Sequence, residues 1–177
     1  MNQRSSDDKA LSLHIEKLLV SHLDELAEVL LHPEVYEYIE EELPTLDDFK
    51  LGLERAIAGP RDRAMAESWL NYLARDASGI MLGRLEATVH HQLAEIAFLF
   101  GREHWGRGFA SAALLWLHGE LEMVHGITEF WATTAPGNRR SQALLLRCGY
   151  VETALPASPL FSFALGDMVF RRGAQLF

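Results

Sequence analysis

Two stretches of the chain combine residue types and spacings that could do chemistry. The first, Gly101-Arg102-Glu103-His104-Trp105-Gly106-Arg107-Gly108-Phe109-Ala110, joins an apolar strand to an apolar helix. Gly106 and Gly108 remove side chains where the backbone turns, so successive N–H groups can converge on one oxyanion. The N-terminus of the following helix adds its partial positive charge. Arg102 and Arg107 place cations beside that bend in a chain whose net charge is -9, so an anion would meet a local field opposite to the global one. The pattern suits a phosphate or pyrophosphate cradle, and equally a plain glycine-rich turn. The second stretch is Pro136-Gly137-Asn138-Arg139-Arg140-Ser141. Asn138 is a good helix cap, and Ser141 stands about one turn further on. Beyond a simple capped helix, that spacing puts both residues at the mouth of a parallel strand pair, where ligands of open α/β sheets collect.

The elements that must position these residues follow from periodicity. Leu11, Leu13 and Ile15 alternate with Ser12, His14 and Glu16 as a half-buried strand. Ser21 with Asp24 reads as a capping box for a helix carrying Leu23, Leu26, Ala27, Leu30 and Leu31 toward Pro33. A short helical stretch covers Glu34 to Ile39. Thr45 with Asp48 starts another helix, which Gly59-Pro60 stops. Trp69 to Ala74, Ile80 to Val89 and Leu93 to Phe100 form an antiparallel meander. A long helix from Phe109 to Val124, built on Ala112, Ala113, Leu115, Trp116, Leu121 and Met123, ends at Gly126. Ile127 to Thr133 is the next strand, parallel to the one before the helix through a right-handed crossover. A last helix, Ser141 to Arg147, stops at Gly149, with Leu144, Leu145 and Cys148 facing the sheet. Val151-Glu152 and Asp167 to Arg171 close the sheet. The expected fold is α/β, with a mainly antiparallel central sheet holding one parallel pair.

Composition narrows the function classes. The 177 residues, 49% of them hydrophobic, make one domain, and a chain of that size buries roughly two-thirds of its unfolded surface without staples. A single cysteine, Cys148, forms no internal bridge and no cysteine-rich zinc site. The excess of 25 acidic over 16 basic residues argues against a phosphate backbone or an anionic membrane as partner. No segment approaches the ~20 apolar residues of a membrane span, and residues 1–9 have no signal core and are expected to be disordered. The expectation is a cytoplasmic protein.

A dinucleotide fold also joins strand, glycines and helix. Here, however, Ser111 occupies the third glycine position, and Gly101 to Trp105 intervene between the strand and the first glycine. Glu129, ~20 residues on, falls at its strand's start rather than its end. A kinase-type phosphate loop lacks its Gly-Lys-Ser/Thr. Among the histidines, His90 and His91 lie in a connection between strands and read as a solvated turn with no third metal ligand; no metal site is expected. His104, next to the glycines, could touch a ligand's phosphates, the alternative being a surface position.

The run Trp105-Gly106-Arg107-Gly108-Phe109-Ala110, followed by Asn138-Arg139-Arg140-Ser141 and Cys148-Gly149-Tyr150, resembles the GNAT acyltransferase superfamily. It is most similar to the branch of ribosomal-protein N-terminal alanine acetyltransferases. Of the superfamily's Gln/Arg-x-x-Gly-x-Gly/Ala motif, Gly108 and Ala110 match and Trp105 replaces the first residue. The resemblance implies a single acyltransferase domain over 1–177, with 94–150 as the coenzyme A-binding core, helices on both faces and a splayed parallel pair. It implies acetyl-CoA as co-substrate, an amine acceptor, small molecule or peptide, and a monomer or homodimer. By position, Phe98, Leu99 and Phe100 would offer strand amides to the pantetheine arm, with an amide near Leu99 at the oxyanion. Gly106, Arg107, Gly108, Phe109 and Ala110, with Arg102 and Trp105, would surround the pyrophosphate, and Asn138 would fix the arm. Ser141 would sit by the thioester sulfur, and Glu95 is the candidate base, the alternative being a solvated edge carboxylate. The acidic segment Glu37, Glu40, Glu41, Glu42, Asp47 and Asp48 would favour a cationic amine, and Tyr36, Tyr38, Phe161 and Phe163 could wall its slot. A competing reading keeps the coenzyme site but gives it to a non-catalytic acyl-CoA sensor or interaction domain.

Overall fold

The computed structural model describes residues 11–39, 42–61 and 67–173. The expectation for residues 1–9 therefore lies outside the described residues. Seven strands, β1 (Leu13–Lys17), β2 (Glu67–Asp76), β3 (Met81–His90), β4 (Leu93–Phe100), β5 (Glu129–Thr134), β6 (Val151–Thr153) and β7 (Met168–Gly173), form one sheet in the order β1-β2-β3-β4-β5-β7-β6. Every neighbouring pair is antiparallel except β4 and β5. The helices are α1 (Leu23–Leu30), α2 (Pro33–Tyr36), α3 (Leu46–Ala58), α4 (Phe109–His125) and α5 (Arg139–Arg147). α4 and α5 cover one face of the sheet, where Phe109, Leu114, Leu117, Leu121, Leu144 and Leu145 join one core. α1, α2 and α3 cover the other with Leu23, Leu26, Leu30, Val35, Phe49 and Leu53. Each fully buried leucine of these sets contributes about 2 kcal/mol.

Local chemistry explains most element ends. The Thr45 hydroxyl accepts the Asp48 N–H to cap α3, and Gly59 ends it at φ 79°. Gly126 ends α4 in the left-handed region, which an L side chain resists. β3 returns into β4 through His91 and Gln92, both at positive φ, which is the backbone of a two-residue hairpin turn.

Three expectations are corrected. Ser21 does not cap α1: a 3-10 turn, Val20–His22, leads in, and the His22 ring accepts the Leu19 N–H instead. α4 buries Ala113, Leu114, Leu117, His118 and Leu121, whereas Leu115, Trp116 and Met123 are exposed, because the helix is apolar on several sides and periodicity alone does not choose among them. His90 is no solvated turn residue: it is 2% exposed.

A polar network ties α4 to the far sheet edge. Buried His118 accepts a hydrogen bond at Nδ1 from the Arg172 guanidinium, so its proton sits on Nε2 and is donated to the Tyr150 hydroxyl at 2.8 Å. Arg172 also bonds the Cys148 carbonyl at the end of α5. Burial, with the neighbouring Arg172 charge, pulls the His118 pKa down to about 3. Below the ordinary imidazole value the unfolded chain gains a proton that the folded chain refuses until about pH 3. This site's stability is therefore complete above pH ~6.5 and is lost on acidification by up to about 1.4 kcal/mol per pH unit. Urea unfolding from pH 6.5 to 4 should show a shallower fall in stability for His118→Gln than for the natural protein, by about one proton's slope; parallel slopes would contradict the assignment.

Gly83 on β3 supplies a second test. A Cβ there would overlap the Leu99 carbonyl oxygen and stand 2.7 Å from the Phe100 Cα. Gly83→Ala should push β3 off β4 at a cost of about 1–3 kcal/mol, a drop of several degrees in Tm for a domain of this size. An unchanged calorimetric Tm would show that the strands yield freely.

Candidate active site

β4 and β5 pair through only two registered positions, Ala94 with Phe130 and Glu95 with Trp131. Beyond them the strands part, and the gap belongs to a cavity of about 980 Å³. Its walls include Ile96 to Phe100, Ala132 to Thr134, the bend at Gly106 and Gly108, and Asn138 to Ser141 on α5. The segments 96–100, 104–111 and 138–145 thus meet around one opening.

Strand alternation decides which backbone groups face the gap. The Gly101 N–H donates to Leu82 on β3 at 2.9 Å, and in an antiparallel ladder every second residue faces the same neighbour. Leu99 therefore spends its amide and carbonyl on Arg84 of β3, and the groups of Phe98 and Phe100 turn toward β5. The Phe100 carbonyl confirms the alternation by accepting the Trp105 indole N–H at 2.8 Å. Leu99 is thus corrected as an amide donor to the gap: its side chain lines the cavity, but its N–H is committed to the ladder.

The bend presents a set of free donors. Gly106 (φ 72°) and Gly108 (φ 84°) both take the left-handed conformation. A Cβ at Gly108 would strike the Leu11 side chain at 2.9 Å, while Gly106 opens to free space. α4 has no side-chain cap, and its first helical bond is Ala112 N–H to Gly108. The N–H groups of Phe109, Ala110 and Ser111 consequently lack intrahelical acceptors and point outward with the helix dipole. Phe109 offers only its backbone, since its ring is buried in the core. His104 lines the same wall, and its buried Nδ1 has no hydrogen-bond partner among the described residues. A groove of unpaired donors with an orphaned ring nitrogen fits a long, phosphate-bearing ligand.

Not every expected cation serves this cradle. Arg102 lies outside the cavity lining and pairs with Glu34 at 3.0 Å and Glu103 at 3.5 Å, a correction that follows from the approach of α2. Arg107 packs over the Phe109 ring at 4.8 Å, also outside the lining. Arg139 and Arg140 line the cavity instead. Arg140 stacks over Trp105 at 3.7 Å, donates to the Glu34 carbonyl and pairs with Glu37. These contacts hold the α2 segment, with Val35, Tyr38 and Ile39, across the opening. Asn138 caps α5 through its Oδ1, which accepts the Ser141 N–H at 3.1 Å, and both residues line the cavity as expected.

The opposite side of the cavity carries groups that sequence reading missed. Arg84 and Glu86 on β3 form an ion pair beside the gap, and Asp167 lines the wall with one oxygen accepting the Ala164 N–H. Glu86 stands across from Ala97 of β4 and is one-third exposed. Arg84, Glu86 and Thr88 alternate with Leu85 and Ala87, a pattern that normally marks a solvent face and gives no hint of a cavity. Of the acidic segment, Glu37 is spent on Arg140 and Asp48 on the Thr45 cap, and Glu40 and Glu41 lie outside the described residues.

Glu95 is neither a solvated carboxylate nor part of the cavity lining: it is 4% exposed. It accepts hydrogen bonds from His90 Nε2 at 2.6 Å, from the Phe161 and Ser162 N–H groups at 2.7 and 2.8 Å, and from the Ser162 hydroxyl at 2.5 Å. With its oxygens so occupied it is poorly placed to take a proton from a ligand. Cys148 is buried, and burial raises its thiol pKa, so no cysteine nucleophile serves the cavity. Among the described residues no cluster of His, Cys, Asp or Glu could hold a metal ion, and no helix is long and apolar enough to cross a membrane.

Comparison with known proteins agrees with this geometry. No curated protein sequence matches the chain. Among solved structures, the RimL ribosomal L7/L12 alpha-N-protein acetyltransferase, in complex with coenzyme A, superposes with a TM-score of 0.74 at 16% identity, over 92% of this chain and 94% of that one. Spermidine N-acetyltransferase from Vibrio cholerae, with coenzyme A and spermine, gives 0.68 at 20% identity, over 90% and 93%. The aminoglycoside acetyltransferase AAC(6')-Ib, with coenzyme A, gives 0.71 at 17% identity, over 92% and 95%. The family model of the acetyltransferase (GNAT) domain matches residues 12–151, and with the splayed strand pair and its glycine bend it establishes that the chain belongs to the GNAT acetyltransferase family.

Proposed function

We propose that the chain transfers an acetyl group from acetyl-CoA to a primary amine, on a small molecule or a peptide N-terminus, by direct attack in a ternary complex. One observation carries this reading: unpaired strand amides, a helix N-terminus cleared by two glycines, and carboxylates on the far side all open into a single cavity. It is supported by neighbours named for acetylating spermidine, a ribosomal protein and an aminoglycoside, each solved with coenzyme A.

In this reading the N–H groups from Gly106 to Ser111 hold the pyrophosphate, aided by Arg139. Phe98 and Phe100 bond the pantetheine arm through their gap-facing amides, and Trp105 and Asn138 shape the channel around it. An acceptor amine has a pKa near 8 at a chain terminus or about 10.4 at a lysine, so it arrives protonated. Glu86 removes that proton, directly or through water, and Arg84 orients the carboxylate. The freed lone pair attacks the thioester carbonyl, a nitrogen–carbon bond forms, and the oxyanion meets an N–H of the splayed strand. The carbon–sulfur bond then breaks as the nitrogen, which carries an extra proton in the tetrahedral intermediate, gives that second proton to solvent. The departing thiolate, with a parent pKa of about 8.5, accepts a hydrogen bond from the Ser141 hydroxyl and takes up a proton from solvent.

Free-thiol release from acetyl-CoA, measured across a panel of polyamines, aminoglycosides and peptide N-termini, tests the assignment. At least one class should turn over. Glu86→Gln should lower kcat/KM for it by about a hundredfold or more near pH 7, and the loss should narrow as pH approaches the amine's own pKa. Silence toward the whole panel by folded protein that binds acetyl-CoA would favour the sensor reading. A flat response to Glu86→Gln would remove that residue from the chemistry.

A further inference from the structure

We propose that Glu95, acting with His90, is a positioning residue that latches the 154–167 loop to the coenzyme strand and so sets the width of the acceptor side of the cavity. This rests on the acetyltransfer reading above.

The latch sits where β4 and β5 part, since Glu95 with Trp131 is their last registered pair. All four groups on Glu95 are donors, and two of them are consecutive backbone N–H groups of the loop. His90 bonds Glu95 through Nε2 at 2.6 Å, and its Nδ1 meets the His91 ring at 2.9 Å. The His90 ring also stacks on Phe161 at 4.1 Å, although that phenylalanine is itself half-exposed. From the other side, the Thr133 hydroxyl of β5 bonds both the carbonyl and the hydroxyl of Ser162. The loop's buried apolar hold comes from Leu160 and Phe163, which pack with Leu93, Trp131 and Val169. Leu165 is fully exposed. Ser162, Ala164 and Asp167 of this loop line the same cavity as Glu86, so the room left for an acceptor on that side depends on where residues 161 and 162 are pinned. Opening the loop would strip three of four partners from a buried carboxylate, which is costly, and the closed wall is favoured accordingly.

Amide hydrogen exchange and kinetics on Glu95→Gln, Ser162→Ala and His90→Phe test this. The amide of Gln offers donors where the loop also donates, Ala deletes only the hydroxyl, and Phe keeps the stack without the N–H. In Glu95→Gln, exchange at Phe161 and Ser162 should accelerate by about tenfold or more. The acceptor KM should rise about tenfold, with acetyl-CoA affinity held within about twofold and bulkier amines gaining relative to smaller ones. The other two variants should move the same readouts less. Unchanged exchange in Glu95→Gln and Ser162→Ala would overturn the latch, as would faster exchange with acceptor KM and amine ranking unmoved, or an equal loss of coenzyme affinity. Should Glu95→Gln fail to fold, Ser162→Ala, on an exposed residue, decides by the same comparison. A natural protein that turns over no amine would sink the acetyltransfer reading and the positioning role with it, while the exchange data would still report whether the loop is pinned.

Discussion

Backbone N–H and C=O groups inside a protein must be paired with something, and the parting of β4 from β5 breaks that pairing where the molecule opens. Two registered pairs hold the strands at one end. Past them, Phe98 and Phe100 face a gap with no ladder to complete, while β3 continues to hold β4 from the other side. A sheet that closed the gap would satisfy these groups and lose the cavity. The fold keeps it open by filling both flanks, with α4 crossing one face and α1 and α3 the other. What completes the ladder must be a slender, extended ligand with hydrogen-bonding groups along its length.

Electrostatics divides the opening into two halves. On one side the left-handed glycines present uncapped amides, with Arg139 and Arg140 beside them. Opposite stand Glu86, tempered by Arg84, and Asp167. In the acetyltransfer reading, an anion and a cationic amine would be drawn to different parts of one cavity, the arrangement a two-substrate transfer requires. Much of the remaining charge is spent on architecture: Glu34 and Glu37 hold α2 through Arg102 and Arg140, and Glu95 holds the 154–167 loop.

The sequence was informative wherever a local rule decides the structure. Thr45 and Asn138 cap helices because a short side-chain oxygen reaches an N–H three residues on. Gly126 closes α4, and Gly106 and Gly108 form the bend, because other residues resist positive φ. Long-range partnerships were not legible. Glu95 reads as a surface acid until the Phe161 and Ser162 amides, 66 and 67 residues away, close over it. His118 meets Tyr150 and Arg172 only through the fold. Glu86 lies on a face that alternation marks as wet, and the sheet makes that face a cavity wall. The orientation of Leu99 required the ladder's parity, which one uncertain register obscures.

The most direct measurement is titration calorimetry of the folded protein with acetyl-CoA, coenzyme A and NAD, repeated on Gly108→Trp. If the amides of the glycine bend hold the coenzyme's pyrophosphate, both coenzyme A species release or absorb heat at one site per chain. NAD gives none, and the tryptophan variant keeps its fold yet loses the signal. Full-affinity binding by that variant, or no heat from the natural protein with either coenzyme A species, would contradict the account at its root.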